Sequence, residues 1–127
     1  RKLGRRENAF EATIWHNPNC GTSRKLLDHL TAKGVAVEVV NYVKNPLSEA
    51  QLTQIISGLD DPASAVRHDN RFRELGLDAA DYQSAAAVVA LLREHPLLMQ
   101  RPIVSLGNRA VVARPIETVD DFLSRST

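Results

Sequence analysis

The fold of this chain is decided by residues 13–42, TIWHNPNCGTSRKLLDHLTAKGVAVEVVNY. Residues 13–16 form a short run of strand-forming side chains that ends at the turn dipeptide Asn17-Pro18. A helix is expected next, because the three leucines that follow share one helical face and Gly34 stands where a C-terminal cap belongs. The valine-rich residues 35–42 predict a buried strand, parallel to the first because a helical crossover joins them. The stretch therefore predicts a βαβ unit.

A helical region follows this unit. Ser48 and Gln51 have the spacing of a capping box, so a second helix is expected to begin there. Residues 62–96 predict further helices. The last of them covers residues 84–95 and ends before Pro96, because proline cannot continue the hydrogen-bond ladder of a helix.

The last third of the chain changes to short strands and one more helix. Residues 103–106 and 110–113 are apolar strands around Gly107-Asn108, a typical two-residue hairpin turn. Residues 116–124 carry apolar side chains at helical spacing and acidic side chains near their start, which favours a final helix. The order β-α-β, helices, β-β-α is that of the thioredoxin fold. We therefore expect an α/β, thioredoxin-like fold, a four-stranded mixed sheet flanked by helices, with a helical insertion between the βαβ unit and the C-terminal β-hairpin.

Length and composition limit the class of protein. The 127 residues are 43% hydrophobic and 24% charged, with a formal net charge of +1, which is typical of an ordinary globular domain. This balance excludes a strongly basic nucleic-acid binder, and no window is apolar enough for a membrane span or a signal peptide. We expect one cytoplasmic domain over residues 13–127, with no nucleic-acid or membrane partner. Residues 1–12 are basic and aperiodic, and are expected to be an N-terminal extension or a remnant of expression without a function.

The chemistry of the chain is concentrated in HNPNCGTSR, residues 16–24, where the first strand meets the first helix. Cys20 is the single cysteine, so it has no internal disulfide partner. The first amides of a helix lack acceptors within the helix, and the peptide dipoles add partial positive charge, so a thiolate is stabilised there. A protonated His16 would act in the same direction. We expect Cys20 to be a nucleophile with a lowered pKa, in an anion site that includes Gly21 and Thr22.

A lowered pKa alone explains little of the reactivity that such a site needs. A fall of about two pKa units raises the thiolate fraction at pH 7 about 25-fold, but the weaker base is about six- to tenfold less nucleophilic. The net gain is only about threefold. Cationic groups that hold a substrate anion against the sulfur must therefore supply most of the rate.

The segment of residues 16–24 resembles the catalytic loop of the glutaredoxin-coupled arsenate reductases. The resemblance continues to about residue 123 through three later segments, VRHDN (66–70), LMQRPIV (98–104) and ARP (113–115). In that family one arginine from each later segment binds the oxyanion, which implies this role for Arg67, Arg101 and Arg114. Arginine suits the role because its planar fork of donors stays protonated and matches a tetrahedral, multiply charged anion.

The resemblance also implies a mechanism and partners. The Cys20 thiolate attacks arsenate to form a thiol-arsenate adduct, glutathione attacks next, and glutaredoxin resolves the mixed species with a two-electron reduction. Arsenite then leaves from a Cys20-bound As(III) intermediate. Glutathione is a co-substrate in this scheme, and neither a metal nor a bound cofactor is required. The Arg101-Pro102 peptide bond is expected to be cis, with the Arg101 side chain directed to the anion site.

Several assignments have rivals within the sequence. Arg71 and Arg73 could take the place of Arg67, and His16 could equally be a strand-end residue that bonds to the backbone. The cysteine loop also resembles a monothiol glutaredoxin motif, so the alternative enzyme is a glutathione-dependent thiol oxidoreductase without arsenate specificity. A branch with this fold regulates transcription by binding RNA polymerase. Its members often carry a C-x-x-C switch, whereas Ser23 occupies the place of the second cysteine here.

Overall fold

The computed structural model describes residues 12–125. Its strands and α-helices are β1 (Ala12–His16), α1 (Gly21–Ala32), β2 (Val37–Asn41), α2 (Glu49–Ser57), α3 (Asn70–Glu74), α4 (Ala85–Glu94), β3 (Ile103–Leu106), β4 (Arg109–Val112) and α5 (Thr118–Arg125). Short 3-10 helices cover Pro62–Ala65, Ala79–Asp81 and Pro96–Leu98. The N-terminal extension expected over residues 1–12 lies outside the described residues except for Ala12, at which β1 begins.

The four strands form one mixed sheet in the order β2-β1-β3-β4. β1 and β2 are parallel, with His16 opposite Asn41 at their carboxyl ends. β3 is antiparallel to both β1 and β4, with Ile103 opposite Trp15 on one side and Val112 on the other. The mixed sheet and its flanking helices confirm the predicted fold class, including the βαβ unit and the C-terminal hairpin.

Three strands differ in detail from the expectation, and the first difference is that β1 begins at Ala12, one residue earlier than expected. β2 is shorter than residues 35–42 and is not a buried strand, since Glu38 and Val39 are exposed. The reason is its place at the edge of the sheet, where it pairs on one side only. β4 begins and ends one residue earlier than expected. The turn before it places Gly107 at a φ of 63°, a left-handed conformation that favours glycine.

The helix starts agree with the polar side chains that precede them. The hydroxyl of Ser48 accepts from the amide of Gln51 at 3.1 Å, and the Ser48 amide donates to the Gln51 side chain at 2.9 Å, so the predicted capping box is present. α4 begins behind Ser84, whose hydroxyl accepts from the amide of Ala87 at 3.2 Å. Within residues 12–125, no helix has the length and apolar character that a membrane crossing needs.

Helices cover both faces of the sheet, and each face has its own apolar core. The α2/α4 core, formed by these two helices with one face of the sheet, includes Tyr42, Met99 and Ile103. The α1/α5 core on the other face includes Ile14 and Val104. Ile103 and Val104 are neighbours in β3 yet belong to different cores, because side chains alternate along a strand. The sheet is therefore held from both sides.

One end of the sheet collects the segments that carry the candidate site. The carboxyl ends of β1 and β2 lie there, and so do the start of β3 and the end of β4, since β3 is antiparallel to its two neighbours. Arg101 lies two residues before β3, and Arg114 lies two residues after β4. The hairpin thus brings both arginines to the end of the sheet at which α1 begins.

Candidate active site

The loop between β1 and α1 is held by its own hydrogen bonds. The side-chain oxygen of Asn17 accepts from the amide of Asn19 at 2.9 Å, and the Asn17 carbonyl accepts from the amide of Cys20 at 3.0 Å. The amide of Asn17 donates to the buried hydroxyl of Ser23 at 3.3 Å. These bonds hold Cys20 at the N-cap of α1 with an extended backbone, φ −106° and ψ 118°. The Cys20 side chain makes no capping hydrogen bond, but it lies at the helix end where the amides of the first turn lack acceptors within the helix.

The half-buried sulfur of Cys20 lies among hydrogen-bond donors. Burial is the largest single influence and acts to raise the pKa of the thiol. The amides of Ser23 and Thr22 and the side chains of Arg101 and Arg114 act in the opposite direction, and together they bring the Cys20 pKa below its ordinary value. The site therefore stabilises the thiolate relative to a free cysteine, which is the direction expected from the helix start.

Arg101 and Arg114 reach this sulfur from segments that are distant in sequence. Nη1 of Arg114 donates to the carbonyl oxygen of Arg101 at 2.8 Å, which ties the two segments together. Nη1 of Arg101 donates to the carbonyl oxygen of Leu97 at 3.3 Å. The peptide bond from Arg101 to Pro102 is cis, as expected, and the one from Arg114 to Pro115 is cis as well. The structure thus brings two of the three candidate oxyanion-binding arginines to the cysteine.

Arg67 lies beside the segment that leads to Arg101. Its amide donates to the carbonyl oxygen of Leu98 at 2.8 Å, so the two segments run side by side. Its guanidinium is paired with Asp69, with 3.5 Å between Nη1 and Oδ2, and its side chain is 27% exposed. Among the described residues, Arg67 is not one of the groups that shift the Cys20 pKa. The structure therefore places Arg67 beside the segment that leads to Arg101, with its guanidinium paired to Asp69.

The rival arginines belong to α3. The guanidinium of Arg73 donates to the carbonyl oxygen of His68 at 3.2 Å and also contacts the side chain of Asn70. Arg71 is exposed. Neither of them is among the described groups that shift the Cys20 pKa.

His16 is bonded to Ser23. Its Nδ1 lies 2.8 Å from the Ser23 hydroxyl. Burial and then the positive charge of Arg24 lower the pKa of His16, so the neutral imidazole is favoured at neutral pH. The lowered pKa does not favour the protonated His16 of the sequence-based hypothesis, which stays a prediction, and the nearby positive charges are those of arginines. Arg24 supplies one of them by folding back to donate to the Pro18 carbonyl at 2.7 Å.

Both the sequence and the fold of this chain are similar to those of known proteins. The family model described as "ArsC family" matches residues 15–122. The chain belongs to the ArsC family. This confirms the family resemblance inferred from the sequence.

Relatives of this chain in the ArsC family carry the name arsenate reductase. One from Neisseria meningitidis is 37% identical over 116 residues, which cover 89% of this chain and 98% of that protein. Another from Rhizobium meliloti is 41% identical over 115 residues, which cover 87% of this chain and 80% of that protein. The solved structure of an arsenate reductase from Vibrio cholerae has a TM-score of 0.75 at 34% identity, with coverage of 90% of this chain and 98% of that chain.

Two residues of this ArsC-family site were not singled out as site residues from the sequence. Ser23 has no exposed surface, and its hydroxyl joins the ring of His16 to the amide of Asn17. The sequence feature that could have identified Ser23 as a site residue is its position one helical turn after Cys20. Tyr42 directly follows β2 at the same end of the sheet and is buried. The feature that could have identified Tyr42 is the predicted parallel pairing of β1 with β2, which places Tyr42 beside the start of the cysteine loop.

The chemistry available to the site follows from its donors. Guanidinium and amide groups donate hydrogen bonds and accept none, so they suit an anion with several oxygens. The thiolate among them is a nucleophile. Within residues 12–125 no three His, Cys, Asp or Glu side chains are grouped as metal ligands would be. The arrangement favours attack by sulfur on a bound oxyanion.

Proposed function

We propose that this protein reduces arsenate to arsenite, with the Cys20 thiolate as nucleophile and with glutathione and glutaredoxin as the source of electrons. The observation that carries the proposal is that the hairpin brings Arg101 and Arg114, joined by a hydrogen bond, to the end of the sheet at which Cys20 caps α1, where both side chains lower the Cys20 pKa. Such a site combines a nucleophile with donors for the oxygens of a tetrahedral anion. The name shared by the ArsC-family relatives supports arsenate as that anion.

The proposed binding groups are the amides of Gly21 and Thr22 and the side chains of Arg67, Arg101 and Arg114. Arsenate is tetrahedral and carries more than one negative charge near pH 7, and each guanidinium can offer it two donors. When arsenate binds, the Arg67 guanidinium would leave its ion pair with Asp69 and bind the anion instead. A partly exposed ion pair such as the one it makes is worth only about 0–1 kcal/mol, so this exchange costs little.

The proposed reaction transfers two electrons to arsenic. The Cys20 sulfur bonds to As(V) as one arsenate oxygen leaves as water, and glutathione displaces a second oxygen in the same way. A glutaredoxin thiolate then attacks the glutathione sulfur, the sulfur–arsenic bond to glutathione breaks, and its electron pair stays on arsenic as As(III). Glutathione and glutaredoxin are left as a mixed disulfide. Water releases arsenite and restores the Cys20 thiol.

The second and third thiols of this scheme come from other molecules. The 127 residues contain one cysteine, so Cys20 has no resolving partner among them. Glutathione serves as a co-substrate, and the scheme uses no metal and no bound cofactor. Because glutathione and its partner proteins are kept reduced in the cytoplasm, the proposal places the protein there.

The test is arsenate-dependent oxidation of NADPH in an assay coupled through glutathione reductase and glutaredoxin. We expect turnover with the parent protein, none when glutathione or glutaredoxin is omitted, and none with Cys20→Ser, because a hydroxyl is far less ionised than a thiol near neutral pH. A thermal melt establishes that the Cys20→Ser variant is folded. Arsenate turnover by this variant would exclude Cys20 as the nucleophile.

A variant of the same assay distinguishes arsenate reduction from the alternative activity, a general glutathione-dependent oxidoreductase. A small glutathione mixed disulfide replaces arsenate as the oxidised substrate. Glutaredoxin is left out because it reduces such disulfides itself, and the rate is compared with that of glutathione alone. NADPH oxidation with the disulfide and none with arsenate would support a general glutathione-dependent oxidoreductase in place of an arsenate reductase.

A further inference from the structure

The hydroxyl of Tyr42 is a buried polar group without a partner. Tyr42 has only 2% of its surface exposed, and its hydroxyl makes no hydrogen bond to any described residue. Buried hydroxyl groups are normally paired, because losing water without gaining another partner is unfavourable. An unpaired hydroxyl beside a candidate active site is a donor available to a ligand that binds there.

Tyr42 lies at the end of the sheet that carries the site. His16 and Asn41 are paired at the carboxyl ends of β1 and β2, so the next residues, Asn17 and Tyr42, leave the sheet side by side. The Tyr42 ring packs in the α2/α4 core together with Met99, two residues before Arg101. This packing holds the ring in place.

The surroundings of the hydroxyl match those of the anion site. Burial raises the pKa of Tyr42, while the charge of Arg101 and the nearby polar side chains of Asn17 and Arg101, neither of which is hydrogen-bonded to the hydroxyl, lower it less. The negative charge of Cys20 adds to the rise. The phenol is therefore a neutral donor at neutral pH, near both the arginine and the sulfur. Its proton makes no hydrogen bond to any described residue, so it is free for another acceptor.

We propose that the Tyr42 hydroxyl is a further substrate-binding group, which donates a hydrogen bond to an oxygen of the oxyanion held between Arg101 and Cys20. The inference rests on the proposed function for the identity of the anion, arsenate. The acceptor chemistry is that of any tetrahedral oxyanion, so inorganic phosphate serves as an unreactive probe. The loop amides and guanidiniums bind the charge of the anion, while the phenol adds a neutral donor from the side of β2.

The test uses Tyr42→Phe, which removes the oxygen and keeps the ring, with Tyr82→Phe as the matched control. Tyr82 packs against Phe72, with 6.2 Å between ring centroids. The first measurement is the phosphate concentration that protects Cys20 from alkylation by iodoacetamide. We expect it to rise about ten- to a hundredfold in Tyr42→Phe, as for loss of one hydrogen bond to a charged acceptor. The KM for arsenate should rise by a similar factor, and Tyr82→Phe should match the parent.

Two further measurements distinguish binding from structure. Without anion, the melting temperature of Tyr42→Phe should equal or exceed that of the parent, because an unpaired buried polar group has been removed. The pH profile of Cys20 alkylation should stay that of the parent. Unchanged phosphate protection would overturn the inference. So would a lower melting temperature with the same loss of protection in both tyrosine variants. Phosphate protection needs no turnover. A parent protein that is protected by phosphate but does not reduce arsenate would therefore refute the proposed function alone.

Discussion

At the residue scale, the state of Cys20 depends on donors that outweigh its burial. Burial favours the neutral thiol, and the amides of α1 with Arg101 and Arg114 favour the thiolate more strongly. His16 contributes differently, since its ring is bonded to Ser23 and its own pKa is lowered. The two arginines, more than the histidine, should therefore control the ionisation of the sulfur.

This difference is measurable as the pH dependence of Cys20 alkylation. We expect Arg101→Gln to raise the Cys20 pKa, because one charged donor to the sulfur is lost, and His16→Gln to change it less. Arg93→Gln, which alters an exposed pair with Glu49, is the control and should match the parent. A larger shift in the Cys20 pKa from His16→Gln than from Arg101→Gln would support the hypothesis that His16 stabilises the thiolate.

The geometry of Arg101 also matters beyond its charge. We expect Arg101→Lys to lower arsenate turnover about tenfold or more, because one ammonium group cannot reproduce two parallel hydrogen bonds to an oxyanion. Arg93→Lys is the control, because it makes the same substitution at the exposed ion pair with Glu49, and it should leave turnover unaltered. Parent-like turnover by Arg101→Lys would mean that charge alone suffices at this position.

At the element scale, the end of α2 is packed directly against the β3–β4 hairpin. The carbonyl oxygen of Gly58 accepts from the amide of Ala110 at 3.0 Å. A Cβ added at Gly58 would lie 2.8 Å from the carbonyl oxygen of Asn108, a distance that real Cβ atoms essentially never show. The absence of a side chain therefore lets α2 approach the hairpin that carries Arg101 and Arg114 at its ends.

Gly58→Ala should accordingly destabilise the protein. The φ of −80° at Gly58 is ordinary for alanine, so the cost comes from the close contact with the hairpin backbone. We expect a loss of about 1–3 kcal/mol in the free energy of unfolding, more than the gain of up to about 1 kcal/mol that alanine brings by restricting the unfolded chain. Chemical denaturation measures it, with the exposed neighbour Ser57→Ala as control. A Gly58→Ala variant as stable as the parent would show that the hairpin moves away without cost.

At the scale of the whole molecule, the site exists only where the two halves of the sheet meet. The βαβ unit supplies the cysteine loop, and the hairpin supplies Arg101 and Arg114 from the antiparallel half. The two cores hold these halves together from opposite faces. Folding therefore creates the environment that lowers the Cys20 pKa, and the stability of the fold is linked to the ionisation of this thiol.

This linkage predicts a pH-dependent stability that Cys20→Ser lacks. The folded-state pKa of Cys20 is lowered from its ordinary value, so between the folded and unfolded pKa values the unfolded chain binds more protons and stability rises with pH. The contribution is fully present above the unfolded pKa and is lost as pH falls through the folded pKa. Denaturation midpoints of both proteins under reducing conditions, from pH 5 to 9, should diverge in favour of the parent as pH rises. A constant difference would contradict a lowered thiol pKa.

Much of this protein is determined along the sequence itself. The βαβ pattern, the capping box at Ser48 and the Gly107 turn are local signals, because strand propensity, helical spacing and turn chemistry act over a few residues, and all three are present in the structure. The position of Cys20 at a helix start is also local, since the turn at Asn17-Pro18 ends β1 directly before it. The sequence therefore predicted the fold class, the family and the direction of the Cys20 pKa shift.

Other features were decided only by the tertiary structure. Burial and proximity depend on how the whole chain packs, so the spacing of residues along the sequence did not predict three features. These are the exposure of the edge strand β2, the ion pair of Arg67 with Asp69, and the hydrogen bond between His16 and Ser23. The charge on a histidine follows from its surroundings, and Arg24 folds back to change them. The unpaired hydroxyl of Tyr42 is likewise visible only once packing has closed around it.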